Sequence, residues 1–159
     1  MPGSLQQEIK QSKPFASLEE EVYLALQVTA DRLARRGAAF LKQHQLSPAQ
    51  YNTLRILRGA GSDGLPCSEI GERMINRDPD ITRMLDRLEK RGLVQRCRDD
   101  KDRRVVTARI SAEGRSLLRR LDAPVREFQK QLLGQVGTSR LTSLLQLLEG
   151  IRQSAQMSR

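Results

Sequence analysis

The chain has 159 residues, of which 30% are charged and only 3% aromatic, with a formal net charge of +9 and a pI near 10.4. So few rings exclude a stacking platform for single-stranded nucleic acid, and the lack of any apolar run near 18 residues excludes a membrane span. The length allows a real core, mostly aliphatic and therefore suited to helices, and the positive charge predicts a polyanionic partner, nucleic acid first and an anionic membrane surface second.

The N-terminal region combines a polar segment with a long helix. Residues 1–16 are polar and contain two prolines and a glycine, so we expect a flexible arm. The capping box Ser17-Leu-Glu-Glu20 predicts a helix from Ser17 to about His44, because the hydroxyl and the carboxylate satisfy the first backbone amides. We assign residues 17–46 to an N-terminal dimerisation helix.

Residues 47–112 are predicted to form a winged helix-turn-helix unit. Ser47 followed by Pro48 is a helix start, Asp78 followed by Pro79 is another with Asp78 as its cap, and Gly92 is the left-handed end of the second. The helices are expected at about 48–59, 67–75 and 79–91. Apolar residues at spacings of three and four give the last of these one buried face.

A hairpin wing follows these helices. Val94–Cys97 and Val105–Ile110 have the length and alternation of strands, joined by a charged turn. From Arg83 to Arg104 there are nine Arg or Lys against five Asp or Glu, a net of +4 that a solvated hairpin does not need. An ordinary charged turn is the alternative. The predicted fold class is therefore mainly α with a small β-hairpin wing (α+β).

Residues 113–159 are predicted to form C-terminal dimerisation helices. Ser111 with Gly114 starts a helix through about Leu133, bent at Pro124, and a last helix runs from Thr138 to about Ser154. The first helix and the last two have more apolar surface than a small winged-helix core can cover. We therefore expect a two-fold dimer clasped by these helices, with folding back onto the same core as the alternative.

The sequence offers no set of residues for catalysis. The chain has one histidine and two cysteines without a CxxC pair, and we find no nucleophile–base pattern and no phosphate-binding glycine loop. We expect no enzyme activity and no metal or other cofactor. Cys67 and Cys97 are interpreted as small half-buried side chains, with a redox switch as the alternative. With no apolar signal segment at the N-terminus, we expect a cytoplasmic protein that does not enter a membrane.

Three segments resemble the MarR family of bacterial and archaeal transcription regulators: Leu46–Leu57, Ile81–Val94, and Asp99–Arg104 with Ile110–Gly114. The resemblance covers roughly residues 18–152. It implies a homodimer whose terminal helices interlock and whose two winged lobes straddle double-stranded DNA. It also implies ligand-responsive repression.

The resemblance assigns roles to individual residues. Thr82, Arg83 and Arg87 match the recognition-helix residues that enter the major groove, and Arg104 matches the wing residue that enters the minor groove. Asp102 matches the acid that braces an arginine, with Arg103 as a flanking cation. The chemistry agrees, because arginine forks onto guanine O6 and N7 and is attracted to the potential of a narrow minor groove.

Other charged residues around these positions have several interpretations. Three cations are expected to meet phosphates: Arg96, Arg98 and Lys101. Asp80 stands where the family often has Ser, Thr or Arg, and it can accept from a cytosine amine if it does not serve the helix end. The alternative is that Arg83 and Arg87 lie on a solvent-exposed helix face and form salt bridges with nearby acids: Asp80, Asp86 or Glu89. Asp86 itself is interpreted as an intrahelical partner.

The resemblance also implies a small phenolic or anionic effector, bound between the dimer base and the winged lobe. The candidate lining residues are Phe40, His44, Tyr51 and Arg55, each of which can equally be core or surface. A different class of function, a winged helix that binds a protein rather than an operator, leaves the wing arginines without a role. It predicts weak, salt-insensitive DNA binding.

Overall fold

The computed structural model describes residues 5–77 and 80–157, most of which lie in helices, as predicted. The helices are α1 (Leu5–Glu8), α2 (Leu18–Lys42), α3 (Pro48–Gly59), α4 (Cys67–Arg73), α5 (Ile81–Lys90), α6 (Ala112–Leu133) and α7 (Thr138–Met157). The strands are β1 (Leu65–Pro66), β2 (Val94–Arg98) and β3 (Val106–Ile110). Single 3₁₀ turns lie at Gly61–Asp63 and Gly134–Val136.

The predicted capping residues start α2 and α3. The Ser17 hydroxyl accepts from the amide of Glu20 at 3.1 Å, while the Glu20 carboxylate accepts from the amide of Ala16 at 2.6 Å. At α3 the box is reciprocal: Ser47 and Gln50 each accept from the other's amide, at 3.1 and 3.0 Å. These starts are determined by neighbouring residues alone, so the sequence is sufficient to locate them.

The start of α5 differs from the expectation. The helix begins at Ile81, and the carboxylate of Asp80 accepts from the amide of Arg83 at 3.0 Å. Asp80 therefore caps α5, a role that the sequence analysis gave to Asp78. Asp78 and Pro79 themselves lie outside the described residues.

The wing belongs to a three-stranded antiparallel sheet in the order β1-β3-β2. The hairpin register pairs Val94 with Ile110 and Arg98 with Val106. The additional strand β1 pairs Leu65 with Ala108. The sequence did not indicate β1, because two residues are too few to display the alternation of a strand.

The N-terminal segment is more ordered than a flexible arm would be. Leu5–Glu8 form one helical turn, Leu5 and Ile9 are half-buried, and Glu8 pairs with Arg32 of α2 at 2.7 Å. The expectation of an unstructured segment therefore fails for these residues. The Glu8–Arg32 ion pair joins this turn to α2.

The core is aliphatic, as the composition predicted. Its fully buried centre unites side chains from α3, α4, α5 and α6, namely Leu54, Leu57, Ile70, Leu85, Leu88 and Leu118. One hydroxyl lies among them: Thr53 donates toward the sulfur atoms of Met74 and Met84 at 3.4 and 3.5 Å. This core fixes α5 and the sheet to α3 and α6.

Two glycines allow the sheet to approach the helices. Gly92 adopts φ +70°, the left-handed conformation predicted for the end of α5. Gly114 lies in the first turn of α6, where a Cβ atom would be 2.4 Å from the carbonyl oxygen of Leu93. The start of α6 is thus packed directly against the backbone that leads into β2.

The terminal helices leave apolar surface uncovered. Leu145 and Leu147 of α7 are 61% and 67% exposed, and Leu18 and Tyr23 of α2 are 71% and 63% exposed. The apolar face of α7 is therefore not covered by the core of its own chain. Pro124 lies inside the continuous helix α6.

None of the helices formed by residues 5–77 and 80–157 is both long enough and apolar enough to cross a bilayer.

Candidate nucleic-acid interface

The exposed face of α5 carries three of the predicted recognition residues. Leu85 on the opposite face is fully buried, whereas Thr82, Arg83 and Arg87 are exposed. Arg83 and Arg87 lie one turn apart and line a shallow cavity of about 230 Å³ together with Ser47 and Gln50 at the start of α3. The two guanidinium groups therefore project from one face of the lobe.

Neither arginine forms an ion pair with an acid among the described residues. Among residues 5–77 and 80–157, no ion pair engages the guanidinium of Arg83 or Arg87, so the paired-face alternative is not found there. Asp86 and Glu89, the acids considered for that pairing, bind Arg96 instead. The interpretation of Asp86 as an intrahelical partner was therefore wrong, because its partner lies on β2.

The turn of the wing is organised by two aspartates. The Asp99 carboxylate accepts from the amides of Lys101 and Asp102, at 2.7 and 2.9 Å. Hydrogen bonds from the amides of Asp102 and Lys101 lower the pKa of the Asp99 carboxyl. Bonds of this kind define the backbone shape of the turn and therefore where its cationic residues start from the chain.

Asp102 braces Arg104 as expected. Its carboxylate accepts from Nε, the guanidinium and the amide of Arg104, at 3.0, 3.2 and 3.1 Å. These bonds lower the pKa of the Asp102 carboxyl, and the side-chain bonds contribute more than the backbone bond. The Arg104 side chain remains 91% exposed, so it is oriented without being buried. Arg98, Lys101 and Arg103 are exposed around it.

The wing and the start of α5 face the same space. Thr82 and Arg104 line one cavity of about 440 Å³, with Pro66, Cys67 and Arg96 on its walls. A major-groove residue and a minor-groove residue of the predicted site thus lie on one side of the lobe. The sequence placed them on separate elements, and the hairpin register brings them together.

Arg96 does not match its expected role. Its side chain is only 20% exposed and its guanidinium binds Asp86 and Glu89, so it is not free to contact a phosphate. Hydrogen bonds from Arg96 lower the pKa of Glu89, and bonds to Glu89 and Asp86 raise the pKa of Arg96. Sequence reasoning missed this network because its members are seven and ten residues apart, on a strand and a helix.

The four candidate effector residues form two pairs. Phe40 lies 5.1 Å from His44 and stacks on Phe128 at 4.6 Å, whereas Arg55 lies 5.9 Å above the ring of Tyr51. No ring contact among the described residues joins one pair to the other.

The second pair lies where the lobe meets α6. Burial raises the pKa of the Tyr51 phenol against the opposing charge of Arg55. Nearby, Arg58 of α3 binds both carboxylate oxygens of Asp122 on α6 at 3.0 Å.

The two cysteines are both reduced but differ in environment. Cys67 is half-buried, and burial raises the pKa of its thiol, which disfavours the reactive thiolate. Cys97 is exposed on β2, so its expected half-burial was wrong. Its side chain points out of the hairpin, away from the core.

Comparison with known proteins agrees with this architecture. Residues 46–106, from α3 into the wing, match the sequence model of the MarR family. The chain is 34% identical over 102 residues to the HTH-type transcriptional repressor MdtR of Bacillus subtilis, a match spanning 64% of each protein and so slightly under two thirds of that repressor.

Two solved structures share the fold. The MarR transcription factor of Planctomyces limnophilus is 40% identical, with a TM-score of 0.68, over 86% of this chain and 98% of that one. The MepR protein of S. aureus in its DNA complex is 20% identical, with a TM-score of 0.72, over 82% and 95% of the two chains. The sequence match over nearly the whole P. limnophilus protein, together with the winged lobe, shows that the chain belongs to the MarR family.

Proposed function

We propose that this chain is a dimeric, sequence-specific transcription regulator that acts in the cytoplasm by binding double-stranded DNA. In this proposal α5 enters the major groove and the wing enters the adjacent minor groove. Arg83 and Arg87 read base edges, and Arg98, Lys101 and Arg103 contact phosphates. The Asp80 carboxylate caps α5 and therefore contributes less to base reading than Arg83 and Arg87 do.

The observation that carries the proposal is the arrangement of exposed cations on one face of the lobe. Arg83, Arg87 and Arg104 are exposed, and Thr82 shares a cavity with Arg104. Arginines on a helix suit guanine edges, and an arginine on a thin braced hairpin suits the narrow groove. Family membership supports the same role.

The dimer is supported by the uncovered apolar faces of the terminal helices. Leu145, Leu147 and Leu18 are each more than half exposed in a single chain, and contiguous apolar surface of this kind marks an association site. A two-fold pair presents two copies of α5 to one face of the duplex. Half-site centres about 10 bp apart then follow, because successive major grooves on that face are one helical turn apart.

Repression controlled by a small phenolic or anionic effector is the further part of the proposal. The Tyr51–Arg55 pair supplies a ring and a cation where α3 approaches α6, beside the Arg58–Asp122 ion pair. An anionic ring compound bound there would compete for these charges and shift the lobe relative to α6. The Phe40–His44 pair forms a second, more apolar lining.

Selection of bound fragments from random duplex DNA tests the core of the proposal. We expect the purified protein to enrich an inverted repeat with half-site centres about 10 bp apart. The affinity for that repeat should fall steeply with salt, because several phosphate contacts release counterions. A protein-interaction module would instead enrich no motif and bind all duplexes weakly with little dependence on salt.

A further inference from the structure

One side chain connects the two elements of the proposed interface. The amide of Arg96 donates to Glu89 Oε1 at 3.1 Å, and its Nε and terminal nitrogen donate to Glu89 Oε2 at 3.1 and 2.7 Å. The same terminal nitrogen also binds Asp86 Oδ1. We call these three residues the Arg96 clamp.

The clamp acts at the middle of the wing stem. Arg96 lies at the centre of β2 and is paired across the hairpin with the fully buried Ala108. Asp86 and Glu89 are three residues apart on α5, so both face the sheet, and the position beside Asp86 is Arg87. A short turn through Gly92 and the shared aliphatic core also join α5 to β2.

Considered by itself, the net negative charge of the clamp is unfavourable for DNA binding. One guanidinium faces two carboxylates, which leaves a net of −1 on a lobe whose other charges suit phosphate. Both acids are partly exposed, at 46% and 40% of their side-chain surfaces, and exposed ion pairs add little to folding stability. The Arg96 guanidinium, however, donates two bonds to Glu89 Oε2 and one to Asp86, and several charge-assisted bonds from one planar group fix its orientation.

We propose that Arg96, Asp86 and Glu89 are positioning residues that set the angle between α5 and the wing. They thereby allow one lobe to occupy the major and minor grooves together. This inference rests on the proposed function, because it explains how two separate DNA-contacting elements keep one relative orientation. The three side chains need not touch the nucleic acid.

Glu89→Gln and the double variant Asp86→Asn/Glu89→Gln test the inference, because simple electrostatics predicts the opposite result. Removing one or two negative charges should tighten binding to any duplex. We expect affinity for the selected operator to fall about tenfold or more, the effect of one misplaced base contact, while affinity for unrelated duplex is unchanged or higher. Glu72→Gln, which removes an exposed charge from α4 of the same lobe, is the matched control and should not lower operator affinity.

Footprinting separates positioning from general weakening. With Glu89→Gln at saturating protein, we expect guanine N7 protection in the major groove to persist and hydroxyl-radical protection at the wing site in the minor groove to be lost. Arg96→Lys keeps the charge without the planar fork and should give the same pattern. Circular dichroism checks that each variant keeps the wild-type helix content.

The inference is overturned if Glu89→Gln binds the operator as tightly as Glu72→Gln does, or if Arg96→Lys retains full minor-groove protection. If the wild-type protein selects no operator at all, the proposed function fails first, and that result is distinguishable from failure of the clamp alone.

Discussion

Arg83 is the residue from which we expect direct base readout. It lies on the exposed face of α5 without an ion-pair partner among the described residues, next to the capped helix start. Arg83→Ala should cost roughly 1–3 kcal/mol of operator binding and remove the preference at one base position per half-site. Competition binding with single-base operator variants measures this loss. Uniform weakening across all variants would make Arg83 a phosphate contact.

Arg104 should act differently, because a narrow minor groove offers charge attraction and little sequence information. Arg104→Ala should weaken operator binding and lower its salt dependence, while the dimer remains intact. The guanidinium is 91% exposed and bound only within the turn, so its loss leaves the core untouched. Titrations at several salt concentrations, with sedimentation as a check on the dimer, test this. Unchanged affinity would remove the wing from the mechanism.

At the scale of the element, a substitution of Asp80 tests how much its cap stabilises the start of α5. Asp80→Ala removes the acceptor for the Arg83 amide and should destabilise the protein by about 0.5–2 kcal/mol, the usual cost of losing a helix cap. Asp80→Ser retains an acceptor and serves as the control. Urea denaturation compares the two. Equal stabilities for both variants would mean that the cap contributes nothing and would return Asp80 to the candidates for base contact.

Glu89 gives the contact between α5 and the wing a pH dependence. Bonds from Arg96, more than the opposing burial and the charge of Asp86, lower its pKa from the ordinary value of 4.5. The native carboxylate therefore stabilises the fold above the unfolded-state pKa, and this contribution is lost as the pH falls through the lower native value.

The melting temperatures of the wild type and Glu89→Gln should therefore differ most near neutral pH and converge as the pH falls through the lowered native pKa of Glu89. Thermal melts across this range measure the difference. A constant gap at every pH would assign it to something other than ionisation of Glu89.

The elements differ in how far the sequence could predict them. The starts of α2, α3 and α6 depend on neighbours three residues apart, and the sequence located them correctly at Ser17, Ser47 and Ser111. At α5 two aspartates flank one proline; the local pattern favoured Asp78, and the structure shows Asp80 as a cap. Propensity cannot separate two such caps, because both are the same residue type beside the same proline.

Contacts between different helices and strands could not be predicted from the sequence. The pairing of β1 with β3 and the binding of Arg96 to Asp86 and Glu89 depend on a hairpin register that no local pattern contains. The candidate recognition residues were nevertheless exposed together, because their spacing along one helix is local information. The four candidate effector residues, expected in one lining, form two separate pairs in the structure, since Phe40 and Tyr51 lie on different helices.

At the scale of the molecule, the terminal helices determine whether the lobes can act together. Leu145 is 61% exposed on a helix that has no buried residue among those described. Leu145→Glu should convert the proposed dimer into single chains by placing a charge in an apolar contact, and operator affinity should fall with it.

Analytical ultracentrifugation at micromolar concentration measures the change, with Gln146→Glu as a control that adds the same charge at the neighbouring position. A Leu145→Glu protein that still sediments as a dimer would locate the dimer contact elsewhere on the surface.

The short strand β1 has a consequence for how copies of this chain meet. It covers the outer side of β3, and it ends in Pro66, which has no amide to donate. The other edge strand of the sheet is β2, which carries the exposed Arg98. Pairing of sheets edge to edge, the first step toward fibrils, is therefore obstructed at β1 by the proline and opposed at β2 by positive charge. Copies of this chain in a concentrated solution are then expected to associate through their helices.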